Sequence, residues 1–347
     1  MTDFQLGLMA IGALAVVAVL AFNKWQERTS RRDAQDAFQS RHPDVLLDTS
    51  AEPAVRTEPA LGPPPRAHRN QEPPLAHVAL PDARIDYILD LRAGRPIAGH
   101  RLTQAWAPSE HRFAQRALFA GDSGAAWQAC AADGQYSSLQ VALQLVNRRG
   151  PVSDGELLEF RTAVETLAAR LEMTVQAPEM AQALDRGKAL DALCADTDVQ
   201  VVVHVVPGEQ GRLAGSVVRR VADSAGLVAG RDGRYALYDS DDRERFSLYD
   251  RSGASLADDA GADDTLQALS LAMDVPRAPE TARSFETMAL LARDLAAALG
   301  GRLVDDNDRA LDEQSLAAIG RQLDAVRTQL EAQGIAPGSA LARRLFS

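Results

Sequence analysis

The chain has little of what most catalytic, metal-binding or disulfide-built proteins carry in quantity. Its 347 residues include two cysteines, Cys130 and Cys194, far apart and without a CxxC spacing. That excludes a disulfide framework and a cysteine zinc site, and leaves two ordinary reduced thiols. Positive charge is also short: the formal net charge of -11 would repel a phosphate backbone, so nucleic acid is not expected as a partner. No GxxxxGK[ST], GxGxxG or GxSxG stands where a strand would meet a helix, so nucleotide and acyl-transfer chemistry lack their usual supports. His42, His68 and His77 fall in a proline-rich stretch, and His100 and His111 flank Trp106 outside any HExxH-like or triad-like setting. Asp239-Ser240-Asp241-Asp242 opens like a calcium loop, but Glu244 stands where glycine is needed and Asp250 where glutamate is, which excludes an EF-hand. The acidic pairs Asp258-Asp259 and Asp263-Asp264 read as solvated loops. The expectation is a protein that is no enzyme, with no cofactor, no metal and no small-molecule substrate.

What is there begins at the amino terminus. Residues 4–23 form an uncharged, mostly apolar run of 20 residues, the length that spans a bilayer core as a helix. Trp25 sits where an interfacial aromatic belongs. Asp3 precedes the run, whereas Lys24, Arg28, Arg31 and Arg32 follow it, the reverse of a cleaved signal peptide. The charge asymmetry predicts a transmembrane anchor over residues 1–23, with a periplasmic amino terminus and everything after Lys24 in the cytoplasm.

Residues 24–81 read as a linker, basic at first and then proline-rich, since nine of the chain's 17 prolines lie between Pro43 and Pro81. Pro63-Pro64-Pro65 and Pro73-Pro74 favour extended polyproline conformation, which makes a semi-stiff spacer. From Asp82 onward the patterning turns globular and suggests an internal duplication, one copy over 82–197 and one over 198–347. Ile85-Asp86-Tyr87-Ile88-Leu89-Asp90-Leu91 and Val199-Gln200-Val201-Val202-Val203-His204-Val205 alternate with period 2, as strands covered on one face do. A second pair begins at Leu139 and at Thr265, and each leads into an amphipathic helix. The later helix carries Phe285, Met288, Leu291, Ala292, Leu295 and Leu299 and stops at Gly300-Gly301; the earlier one carries Phe160, Ala163, Val164, Leu167 and Leu171. Between the later pair, Leu213 to Ala225 reads as a helix ended by Gly226, Gly230-Arg231-Asp232-Gly233 as a turn, and Tyr235 to Tyr238 and Phe246 to Tyr249 as hairpin partners. A last helix begins at Asp312 as N-cap. The expected class is α+β, an antiparallel sheet with helices on one face.

An amino-terminal anchor, a proline-rich tether and a cytoplasmic α+β domain together resemble the ZipA family of bacterial division proteins, which bind the tubulin-like GTPase FtsZ. Residues 199–206, Ala225-Gly226, Phe246-Ser247-Leu248, Met273-Asp274-Val275-Pro276 and Gly300-Gly301 through Asp305-Asp306 look like that family's carboxyl-terminal domain in order and spacing. The resemblance implies a split β-α-β sandwich whose uncovered sheet face takes the FtsZ carboxyl-terminal peptide. By strand alternation, that face would present Gln200, Val202 and His204, with Tyr249 and Arg251, and with Ser270, Ala272 and Asp274. Arg251 and Ala272 depart from the family, whose groove has large apolar residues there. Alternation alone equally suits a half-solvated sheet face without any ligand. Two functions follow: a division adaptor that tethers FtsZ filaments to the bacterial inner membrane, or a membrane-anchored scaffold that binds another envelope or cytoplasmic protein.

Overall fold

Two strings of alternating residues become interior strands of two sheets in the computed structural model. The model describes residues 79–347 except 123, 125, 209–210, 212 and 257–264. The apolar run over residues 4–23, the proline-rich linker and the acidic pairs after Ala257 therefore lie outside the described residues. Among the described residues no helix is long and apolar enough to cross a membrane.

The first sheet has five strands: β1 (Asp86–Ala98), β2 (Ala117–Asp122), β3 (Trp127–Ala129), β4 (Gln135–Gln144) and β5 (Met173–Gln176), in the order β3-β2-β4-β1-β5. Helix α1 (Gly99–Phe113) links β1 to β2, and α2 (Asp154–Arg170) links β4 to β5. Ser153 caps α2 by accepting the Glu156 N–H at 3.2 Å, which satisfies one of the donors a helix start leaves free. Both helices lie on the face toward which Tyr87, Leu89, Leu91, Val141 and Leu143 point, and they contribute Trp106, Phe160 and Val164 to one core. Trp106 meets Phe119 edge-on with ring centroids 5.1 Å apart, a favoured aromatic geometry. Helix α3 (Met180–Thr197) adds Ala183 and Leu190 to the same core.

The second sheet has six strands: β6 (Gln200–Pro207), β7 (Val228–Ala229), β8 (Tyr235–Tyr238), β9 (Glu244–Asp250), β10 (Leu269–Asp274) and β11 (Gly301–Val304), in the order β7-β8-β9-β10-β6-β11. Its strand pairs are antiparallel, as are those of the first sheet. Helix α4 (Gly215–Ser224) follows β6, and α5 (Thr281–Leu299) follows β10. The expected start of α4 at Leu213 is corrected by two residues, because Leu213 and Ala214 pair with Leu266 and Thr265 in a short ladder. Helix α5 ends where expected: Gly300 takes a left-handed φ of 60°, a conformation open to glycine at no steric cost. Gly301 is needed for a different reason. A Cβ there would stand 2.6 Å from the Val206 carbonyl oxygen, so only a bare backbone lets β11 approach β6.

The last helices are α6 (Glu313–Ala332) and α7 (Ala340–Leu345). Asp312 caps α6, its carboxylate accepting from the Ser315 N–H at 2.8 Å and the Ser315 hydroxyl at 2.7 Å. From Leu330 onward the chain leaves the second core for the first: Leu330, Ile335, Ala342, Leu345 and Phe346 are buried among the residues that α1 and α2 cover. The Arg344 guanidinium pairs with Asp86, which is 1 % exposed. Burial raises the Asp86 carboxyl above its ordinary range even though Arg344 pulls the other way. A boundary at residues 197 and 198 thus separates the two sheets, but not the two cores, since the final residues complete the first one.

Candidate functional site

Strand alternation in the second sheet divides its residues cleanly. Val201, Val203 and Val205 of β6, Leu269, Leu271 and Met273 of β10, and Phe246 and Leu248 of β9 belong to the core under α5. The intervening residues face the other way. Cross-strand register places Ala236, Ser247, Ala272 and Val202 in one row. Tyr249, Ser270 and His204 form the next, and Asp274 stands opposite Gln200 at one end. Arg251 follows β9, its N–H bonded to the Ala268 carbonyl at 3.0 Å. The structure therefore brings the eight residues expected from the sequence to one side of the sheet.

They are not equally accessible. Gln200 and Arg251 are exposed, and Val202 and Tyr249 are half-buried. Ser270 is 1 % exposed, Ala272 4 % and His204 5 %. One cause lies after β11, where the chain reverses over residues 305–309. The Asp305 carboxylate accepts from the Asn307 and Arg309 N–H groups at 2.9 and 2.8 Å. The Arg309 N–H, and then that of Asn307, hold this carboxyl below its ordinary range. The turn carries Asp306 to His204, with Nε2 and Oδ1 2.9 Å apart. It also carries Asp308 to Arg251, at 3.0 Å. The face read as uncovered from its alternation is thus overlaid at one end by an acidic turn that comes from beyond the edge strand.

His204 also meets Ser270, with Nδ1 and Oγ 2.9 Å apart. Because a carboxylate only accepts, Nε2 donates to Asp306, and Nδ1 of the neutral ring accepts from the serine hydroxyl. Serine, histidine and aspartate in series have the composition of a hydrolytic triad, but the ring is turned round and the serine is buried on an interior strand. The array instead pins the turn to the sheet. Among the described residues no group of His, Cys, Asp or Glu side chains is placed to hold a metal ion. Burial pushes the Cys130 and Cys194 thiols up to about 11, so neither is a ready thiolate at neutral pH.

At the other end of the face, Asp274 is engaged from the first sheet's side. Arg148 bridges Asp198 at 2.7 Å and Asp274 at 2.9 Å, and its guanidinium lies 5.9 Å from the centre of the Phe346 ring. Sequence reasoning missed Arg148 and the 305–309 turn, because neither lies on the strands whose alternation defined the face. His100 and His111 are exposed on α1, away from these residues.

Residues 199–322 match the family described as ZipA, C-terminal FtsZ-binding domain. This segment carries the ZipA domain. The match begins one residue before β6 and ends inside α6, so the ZipA domain coincides with the second sheet and the helices on its inner face. No curated protein matches the chain. The family's description is that of an FtsZ-binding, and so protein-binding, domain.

Proposed function

We propose that the chain is a cell-division adaptor whose ZipA domain binds the FtsZ carboxyl-terminal peptide on the outer face of the second sheet. The observation that carries this reading is the coincidence of the family match with a sheet whose large helix covers one side only. An extended peptide would cross the row of Val202, Ala272 and Ser247, where small side chains form a floor, with Tyr249 beside them. Gln200 and Arg251 lie at its ends, while His204 and Ser270 on one side of the row and Asp274 on the other are engaged by the turn and by Arg148. No catalysis is needed for this role.

Val202 tests the reading. Val202→Asp places a charge in the middle of the face without touching the core, where hot-spot losses run to about 2 kcal/mol. Peptide-dependent protection of the β6 and β10 amides from hydrogen exchange should then require at least about tenfold more peptide. If the folded variant shows the parent's protection curve, the peptide does not lie there, and the adaptor gives way to a scaffold with another partner.

The same proposal has residues 1–23 as the inner-membrane anchor and residues 24–81 as its tether, supported by the one-sided positive charge after residue 23. Reporters fused to the carboxyl terminus should be active only in a cytoplasmic assay. Activity confined to the periplasm would reverse the topology.

A further inference from the structure

We propose that the outer face of the first sheet is a second site for the same FtsZ tail peptide, so that one chain holds two tails; this rests on the reading of the ZipA domain given above. Four strands and two helices come in the same order in the two sheets. Strands β1, β2, β4 and β5 with helices α1 and α2 repeat the order and pairing of β6, β9, β10 and β11 with α4 and α5. The register makes the repeat residue-specific. Ala142 pairs with Ile88 on one side and Leu118 on the other, as Ala272 pairs with Val202 and Ser247.

The chemistry of the two rows points to one kind of occupant. In each, an alanine floor lies between two side chains on the flanking strands, which stand about 10 Å apart. That spacing leaves a notch one apolar side chain wide. The ZipA domain walls it with one apolar residue, Val202, and the first sheet with two, Ile88 and Leu118, both half-buried while Ala142 is buried. A peptide side chain that fits the first notch therefore fits the second, with more apolar contact.

Both faces are engaged at one end, the first by Arg344 of α7 at Asp86 and Gln144, where the ZipA domain has Gln200 and Asp274, and they differ at the other end. In the ZipA domain the chain after β11 turns back onto His204. After β5 it runs instead through residues 177–179 into α3, which packs into the core on the inner side. The position equivalent to His204 is Asp90, which accepts from the Gln140 side chain at 3.1 Å within the sheet itself.

The test is the stoichiometry of a synthetic FtsZ tail peptide titrated calorimetrically into the full-length chain in detergent micelles. The parent should take two peptides, Val202→Asp one, Ile88→Asp one, and the double variant none. Leu118→Ser, which copies the ZipA domain's own residue and disturbs the fold least, should weaken one site several-fold and leave the other as it was. Emission from the buried Trp106 reports whether the first core is intact in each variant. A single peptide in the parent, lost with Val202→Asp and indifferent to Ile88→Asp and Leu118→Ser, overturns the second site and leaves the first reading standing. A parent that binds no peptide overturns both. A parent that dimerises in the micelle until Ile88 is replaced shows that a second copy occupies the face, and overturns the proposal as well.

Discussion

A chain ended after Gln333 is expected to lose the fold of its first lobe, residues 82–197, while the ZipA domain keeps its own. The deletion takes away Ile335, Ala342, Leu345 and Phe346, all at most 1 % exposed in the first core. Burying one large apolar side chain contributes about 1.5–3 kcal/mol. The deletion also removes Arg344 from the buried Asp86, and stripping one partner from a buried pair costs about 3–5 kcal/mol. Together these approach the whole stability of a small domain, about 5–15 kcal/mol. The lobes can be read apart, because the chain's three tryptophans are Trp25, Trp106 and Trp127, none of them in the ZipA domain. Trp106 emission should shift to the red on truncation, while slow amide exchange persists in β6 and β10. Retention of the native Trp106 spectrum would show that the carboxyl-terminal residues only decorate the first core. Simultaneous loss of protection in both sheets would show a single cooperative unit.

Val203→Asp should do to the ZipA domain what truncation does to the first lobe. Val203 is 0 % exposed and points inward from an interior strand, opposite Leu271. An aspartate there buries a carboxylate with no partner, and such changes belong to the class that costs about 4 kcal/mol or more. Its neighbour Val202 faces the other way and is only half-buried, so Val202→Asp should leave the melting transition within about 1 kcal/mol of the parent. Two adjacent valines given the same charge would then separate folding from binding. Equal destabilisation by both, measured by denaturant titration, would mean that the outer face is as dry as the inner one.

The parts of this fold legible in the sequence are those set by local physics. Alternation over 199–205 placed every second valine in the core, and the helical stripe from Phe285 to Leu299 with its glycine stop became α5 and its left-handed cap. Asp312 was recognisable as a cap from residue type and position. Long-range register was not. The patterning of the two globular halves matches Leu139 with Thr265, whereas cross-strand pairing sets Leu139, opposite Leu91, in the place of Leu269, opposite Val205. A period-2 pattern looks the same after a shift of an even number of residues, so only cross-strand contacts choose between them.

The same limit explains what was incomplete in the candidate site. Alternation told which side chains face outward, but not that residues 305–309 fold back over His204 and Arg251. The burial of Ser270 and Ala272 on a face expected to be bare follows from that turn and from their small size between larger neighbours. Arg148 and α7 were likewise out of reach, because each acts on residues distant in sequence.

The return of the carboxyl terminus into the first core has a consequence for the timing of synthesis. Domains usually fold in the order in which they leave the ribosome. Here the first lobe emerges early, yet Leu345 and Phe346, which fill its interior, are translated after the whole of the ZipA domain. Its core stays open through the making of the entire ZipA domain and closes only once α7 has emerged. Within each molecule, the lobe nearest the amino terminus is the last to be finished.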